Sequence, residues 1–184
     1  MSFSESELEE ICGFVPGEEV WQFQWMLAAA DRNLTVLSVD NFDPEGFIAN
    51  PREELLRQTQ DADVVARVFE VSDVAGQIPL VKACLEHSLI TFATRTPTFS
   101  DLHNALSNTS AVLANVNARA LGERDGYAGH VVLIHRDDTT GELILEDPGP
   151  PSHEHMAVDK DAFLRAWHSP SPRMANFVSV SITS

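Results

Sequence analysis

The hydrophobic pattern changes character midway along the chain, from helical spacing to strand-like runs. Ser4 to Ile11 predicts a short acidic helix, with Ser4 as N-cap and Gly13 just past its end. Pro16 and Gly17 mark a turn. Val20 to Asp31 predicts a second helix, with Trp21, Trp25 and Ala28 spaced i, i+4, i+7 along one face. Phe23, Met26 and Leu27 widen its apolar surface toward burial. Leu34 to Val39 predicts a strand, and Pro44 to Gln60 a helical stretch interrupted at Pro51. Pro79 suits the first turn of a helix running to about His87.

Strands then take over. Leu89 to Thr94 predicts one, Ser110 to Val116 another, and between them Ser100 caps a short helix to Leu106. Two apolar runs follow, Val131–Ile134 and Leu143–Leu145, joined by the polar turn Asp137-Asp138-Thr139-Thr140-Gly141. That arrangement predicts a hairpin. The run Val131–Ile134 is continuous, as for a strand covered on both faces. Lys160 to Trp167 predicts a helix with Phe163 and Trp167 on one core-facing side, and Phe177 to Ile182 a closing strand. Helices before strands argue an α+β fold: a helical N-terminal half packed on a mostly antiparallel C-terminal sheet, with the hairpin at its centre.

Length and charge narrow the function classes. The 184 residues suit a single domain with a proper core, spanning 1–184. A formal charge of −16 argues against nucleic acid and anionic membranes as partners. No run approaches the ~20 apolar residues of a membrane span, and the acidic N-terminus is not a secretory signal. The two cysteines, Cys12 and Cys84, build no disulfide framework and no Cys-x-x-Cys motif, so a cytoplasmic location is expected.

The hairpin carries the candidate chemistry. His130 opens its first strand behind the small residues Ala128 and Gly129, and Asp147 closes its second. Folding about the turn makes the two near cross-strand neighbours. A carboxylate on a histidine fixes its tautomer and raises its basicity, which supplies two parts of a nucleophilic hydrolase site. Each residue also has a plain structural role open to it. His130 suits a backbone-satisfied edge histidine, and the Asp-Pro-Gly-Pro-Pro sequence from Asp147 to Pro151 suits a turn.

A nucleophile is harder to place. Cys12 falls at a helix C-terminus, where the macrodipole opposes thiolate formation. Cys84 sits within Leu80–Leu85 as a small buried apolar residue. No Gly-x-Ser-x-Gly elbow is present. His153-Glu154-His155 reads as a solvated Pro-flanked loop rather than a metal site, and His103 and His135 lack partners at telling spacing. With no Gly-rich phosphate loop or dinucleotide fingerprint either, neither a metal nor a cofactor is expected.

Taken together, Gly126-Tyr127-Ala128-Gly129-His130-Val131-Val132, Asp147-Pro148-Gly149-Pro150-Pro151 and Phe163-Leu164-Arg165-Ala166-Trp167 resemble the papain-like cysteine peptidases of the bacteriocin-processing, double-glycine type. Asp101-Leu102 and the stretch from Ala111 through Asn115 and Asn117 to Leu121 fit the same branch, as does Ser4–Gly13. The likeness is most specific from Asn115 to Trp167 and loose between Phe42 and Ser88. It implies a papain-like fold, with His130 as the general base and Asp147 as the residue orienting it.

The family's Cys-Gly-Pro-Ala nucleophile segment and oxyanion glutamine have no counterpart here; both would precede Ser4. The resemblance therefore implies a non-peptidase relative that binds a peptide or protein in the former substrate cleft. The alternatives are a hydrolase or acyl-transfer enzyme completed by a missing or separate N-terminal segment, or an acid/base enzyme using His130 and Asp147. Absence of the nucleophile helix would expose an apolar groove beside His130. A rearranged helix such as Val20–Asp31, a second copy of the chain in a homo-oligomer, or another polypeptide would cover it.

Overall fold

Helix caps in the sequence account for most element starts in the computed structural model, which describes residues 4–17, 19–106, 110–137, 140, 142–147 and 153–182, with backbone only at 153 and 154. Two compact units form. One takes the residues up to Val36 together with Phe42–Phe92, the other Leu37–Asn41 together with Ala93–Ile182. Among the described residues no helix is long and apolar enough to cross a membrane.

The first unit is helical. Helix α1 (Glu5–Cys12) starts at Ser4, whose hydroxyl and Glu7 exchange capping-box hydrogen bonds, and ends at Gly13 in the left-handed conformation. Helix α2 (Gln22–Ala30) buries Phe23, Met26 and Ala30, while Trp21, Trp25 and Ala28 are only half-buried. The buried stripe is therefore one step round from the face marked by the tryptophans. Phe23 gathers with Trp21, Phe42 and Phe47, with ring centroids 5.2 to 6.4 Å apart. After strand β1 (Leu34–Asp40), Pro51 divides the next helical stretch into α3 (Pro44–Ala49) and α4 (Pro51–Thr59). Each proline occupies a first helical position, where its missing N–H costs nothing.

Helix α5 (Ala62–Val71), capped by Asp61, was not anticipated by the sequence reading. Nor was the true start of α6 (Val74–Glu86), which lies five residues before Pro79. Asp73 caps that helix through the Gly76 N–H, and the proline is carried inside it. Strand β2 (Ile90–Thr94) follows.

The second unit is built on antiparallel strands. Helix α7 (Phe99–Ala105) is capped by Thr98, two residues before the expected Ser100, because Thr98 and Asp101 form a reciprocal capping box. Strand β3 (Ser110–Asn117) and the short α8 (Ala118–Leu121) lead to β4 (Gly129–Arg136) and β5 (Leu143–Asp147). Next come β6 (His153–Val158), α9 (Lys160–Trp167), a 3-10 turn at Pro172–Met174 and β7 (Asn176–Ile182). The strand order is β2-β1-β7-β3-β4-β5-β6. β3 thus holds the middle position, and the hairpin lies toward the β6 edge rather than at the centre.

Val112, Ala114, Val132, Ile134 and Leu145 share one sheet face with Phe177, and α9 contributes Phe163, Ala166 and Trp167 to this core. The other face of β4 is open, contrary to the continuous apolar run. Val131 is 48% exposed and Leu133 36%. Alternation along a pleated strand sends them away from Val132 and Ile134, so the run marks one covered face, not two.

Candidate functional site

Strand register brings His130 and Asp147 together. Leu133 pairs with Glu146 across β4 and β5. The Asp147 side chain therefore emerges on the face of Val132 and Ile134, which alternation also gives to His130. The imidazole reaches diagonally along that face, and its Nε2 lies 2.5 Å from Asp147 Oδ1. Both side chains are mostly covered, at 25% and 17% exposure. With Nε2–H donating to the carboxylate, Nδ1 is the basic nitrogen left for chemistry.

The backbone of His130 is also held. Its N–H donates to Asn115 Oδ1 at 3.1 Å, while Val116 is its register partner on β3. Before it, Gly126 has φ +93°, a left-handed conformation that a side chain would strain. The Tyr127 ring covers Gly129, where an added Cβ would stand 2.9 Å from Oη. The small residues ahead of His130 thus serve a turn and a close aromatic contact. Residues 148–151, which continue the Asp-Pro-Gly-Pro-Pro sequence, lie outside the described residues.

Neither thiol is activated. Cys84 is fully buried in α6, its Sγ 3.5 Å from the Phe23 carbonyl oxygen, and burial pushes its pKa up to about 12. Burial also raises Cys12, the last residue of α1, where the helix carbonyls give no help to a thiolate.

The opposite face of the hairpin holds a group that the sequence reading missed. His135 Nε2 lies 2.9 Å from Glu146 Oε1, and His155 Nδ1 lies 3.5 Å from the same oxygen. The His155 N–H donates to Glu146 Oε2 at 2.8 Å. His135 therefore does have a partner; its diagonal placement across the same hairpin as Asp147 was the available signal. His153–His155 belongs to β6 rather than to a loop, and the β5–β6 register shifts between Leu145 and Asp147. Among the described residues no group of three or more His, Cys, Asp or Glu is placed to hold a metal ion.

The N–H of His155 and then the side chain of His135 hold the Glu146 carboxyl below the usual glutamate range. A lowered folded-state pKa means this contribution is complete above the unfolded value of about 4.3 and is lost as pH falls through the folded one. The His155 amide resonance is therefore expected to titrate with a midpoint below about 4.3. In Glu146→Gln that transition should vanish. A midpoint at or above the ordinary value would contradict the contact.

The fold and site define an α+β protein with a half-buried His–carboxylate pair at the open end of an antiparallel hairpin. No protein-family model matches the sequence, and no curated protein matches it.

Proposed function

We propose that this chain is a papain-like, peptidase-related domain that binds a peptide or protein partner in the cleft beside His130 without cleaving it. The observation that carries this reading is a base and orienter held at 2.5 Å in a sequence whose two thiols are both pushed upward by burial. Thiolate, not thiol, is the attacking species in cysteine chemistry, and a cysteine at about 12 supplies almost none near neutral pH. An Asp147-held imidazole whose Nδ1 accepts a hydrogen bond suits recognition of a peptide N–H. The exposed Tyr127, packed over Gly129 next to His130, adds apolar contact area there.

The retained geometry of the pair favours a second reading. In it, a separately supplied nucleophile completes a hydrolase or acyl-transfer enzyme, or His130 and Asp147 act alone in acid/base chemistry. Thiol labelling with an iodoacetamide probe across pH, in wild type and His130→Ala, tests the absence of an activated cysteine. Slow labelling that ignores His130 is expected. Fast His130-dependent labelling of Cys12 or Cys84 near pH 7 would overturn the non-catalytic reading. For binding, peptides selected from a random display library should perturb the His130 and Asp147 resonances, and a failure of every selected peptide to do so would count against a cleft site.

A further inference from the structure

We infer that Asn115 and Asn117 are positioning residues of the His130–Asp147 site, an inference that rests on the reading of that pair as a functional site. Asparagine is a poor strand residue, and a buried amide costs free energy unless its hydrogen bonds are made. Both nevertheless stand near the end of β3, two residues apart and beside the start of β4.

Asn117 is 1% exposed and makes four hydrogen bonds, the full capacity of a side-chain amide counted as two donors and two lone pairs. Its Nδ2 donates to the Gly126 carbonyl and to Ser169 Oγ, each at 2.8 Å. Its Oδ1 accepts from Arg119 N at 3.1 Å and from Ala128 N at 3.0 Å. The Ala118 N–H closes the same loop onto the Ala128 carbonyl at 2.9 Å. One side chain therefore fixes where the chain returns to the sheet, two residues before His130. Asn115 completes the arrangement by accepting the His130 N–H itself.

The consequence lies in tolerance. A contact of 2.5 Å between the imidazole and Asp147 survives only small displacements of the His130 backbone. A polar side chain meant solely to stabilise the loop would have no need to reach His130 N. The pair of asparagines instead holds the chain at Ala128 and at His130, on both sides of Gly129.

The readout is the His130 Nε2–H proton by NMR on the whole chain, visible because its hydrogen bond slows exchange with water. Wild type should show it, and Asp147→Ala should lose it. Asn115→Ala should keep the amide fingerprint of the fold while this proton exchanges about tenfold faster, the order of one lost hydrogen bond. Asn115→Asp, which keeps an acceptor for the His130 N–H, should restore the wild-type signal. Asn117→Ala should act like Asn115→Ala; if it does not fold, the two Asn115 variants decide the matter. An imidazole proton unchanged in Asn115→Ala would overturn the inference and leave the pair intact. A wild type lacking the signal, or an Asp147→Ala variant retaining it, would instead overturn the reading of the pair itself.

Discussion

Replacing Arg57 with methionine is expected to destabilise the helical unit by about 3 kcal/mol, in the range for stranding a buried charge. The Glu54 side chain is 3% exposed, and Arg57 grips both of its oxygens, with Nε and Nη2 each at 2.7 Å. The Asp43 N–H also donates to that carboxylate, at 2.8 Å. Asp43 is itself the N-cap of α3, so Glu54 fastens α4 to the start of the preceding helix. Methionine keeps the aliphatic reach of arginine but removes the cation that faces this buried carboxylate. Adding Glu54→Gln to that variant should recover about 1 kcal/mol or more, because the charge goes while an acceptor for Asp43 remains. Urea unfolding of the three proteins tests this. A loss below about 1 kcal/mol in Arg57→Met would mark the pair as an ordinary surface one.

Elements set by a local signal were legible in the sequence. Ser4 and Gly13 as the two ends of α1, the Pro44 start with its break at Pro51, and the Lys160–Trp167 periodicity each matched the helices found, since caps and spacing act within one turn. What was missed depends on partners distant in sequence or on competing caps. Pro79 looked like a helix start, but Asp73 supplies the cap and the helix accepts an internal proline. The apolar run Val131–Ile134 could not reveal that only one of its faces is covered, because burial is decided by what packs against the sheet.

The site divides the same way. His130 and Asp147 were readable because the hairpin turn alone fixes their approach. Asn115, Asn117 and Glu146 were not singled out, since their roles depend on the β3–β4 register and on the β5–β6 irregularity. The sheet face that holds the His–Asp pair is also the one filled by α9, so packing of that helix and geometry of the site share a foundation.

Truncating Trp167 tests that foundation and should produce the largest loss in the strand-rich unit. The side chain is 1% exposed, its ring 5.4 Å from that of Phe163 and 5.4 Å from that of His168. Its Nε1–H donates to the Asn176 carbonyl at 2.8 Å, at the start of β7. Trp167→Ala removes both the packing and the hydrogen bond, so about 3–5 kcal/mol is expected. Trp167→Phe keeps much of the ring volume but leaves that carbonyl without its donor, for a smaller loss of about 1–3 kcal/mol. The chain has three tryptophans, so with Trp167 gone its fluorescence comes from Trp21 and Trp25 in the helical unit. Far-UV circular dichroism then follows both units and fluorescence one. The dichroism midpoint in urea should fall well below that of wild type in Trp167→Ala. If the alanine variant unfolds at the wild-type midpoint, α9 is not anchored on the sheet as described. The order phenylalanine above alanine distinguishes loss of packing from loss of the single hydrogen bond, because both variants lack the donor and only one lacks the ring.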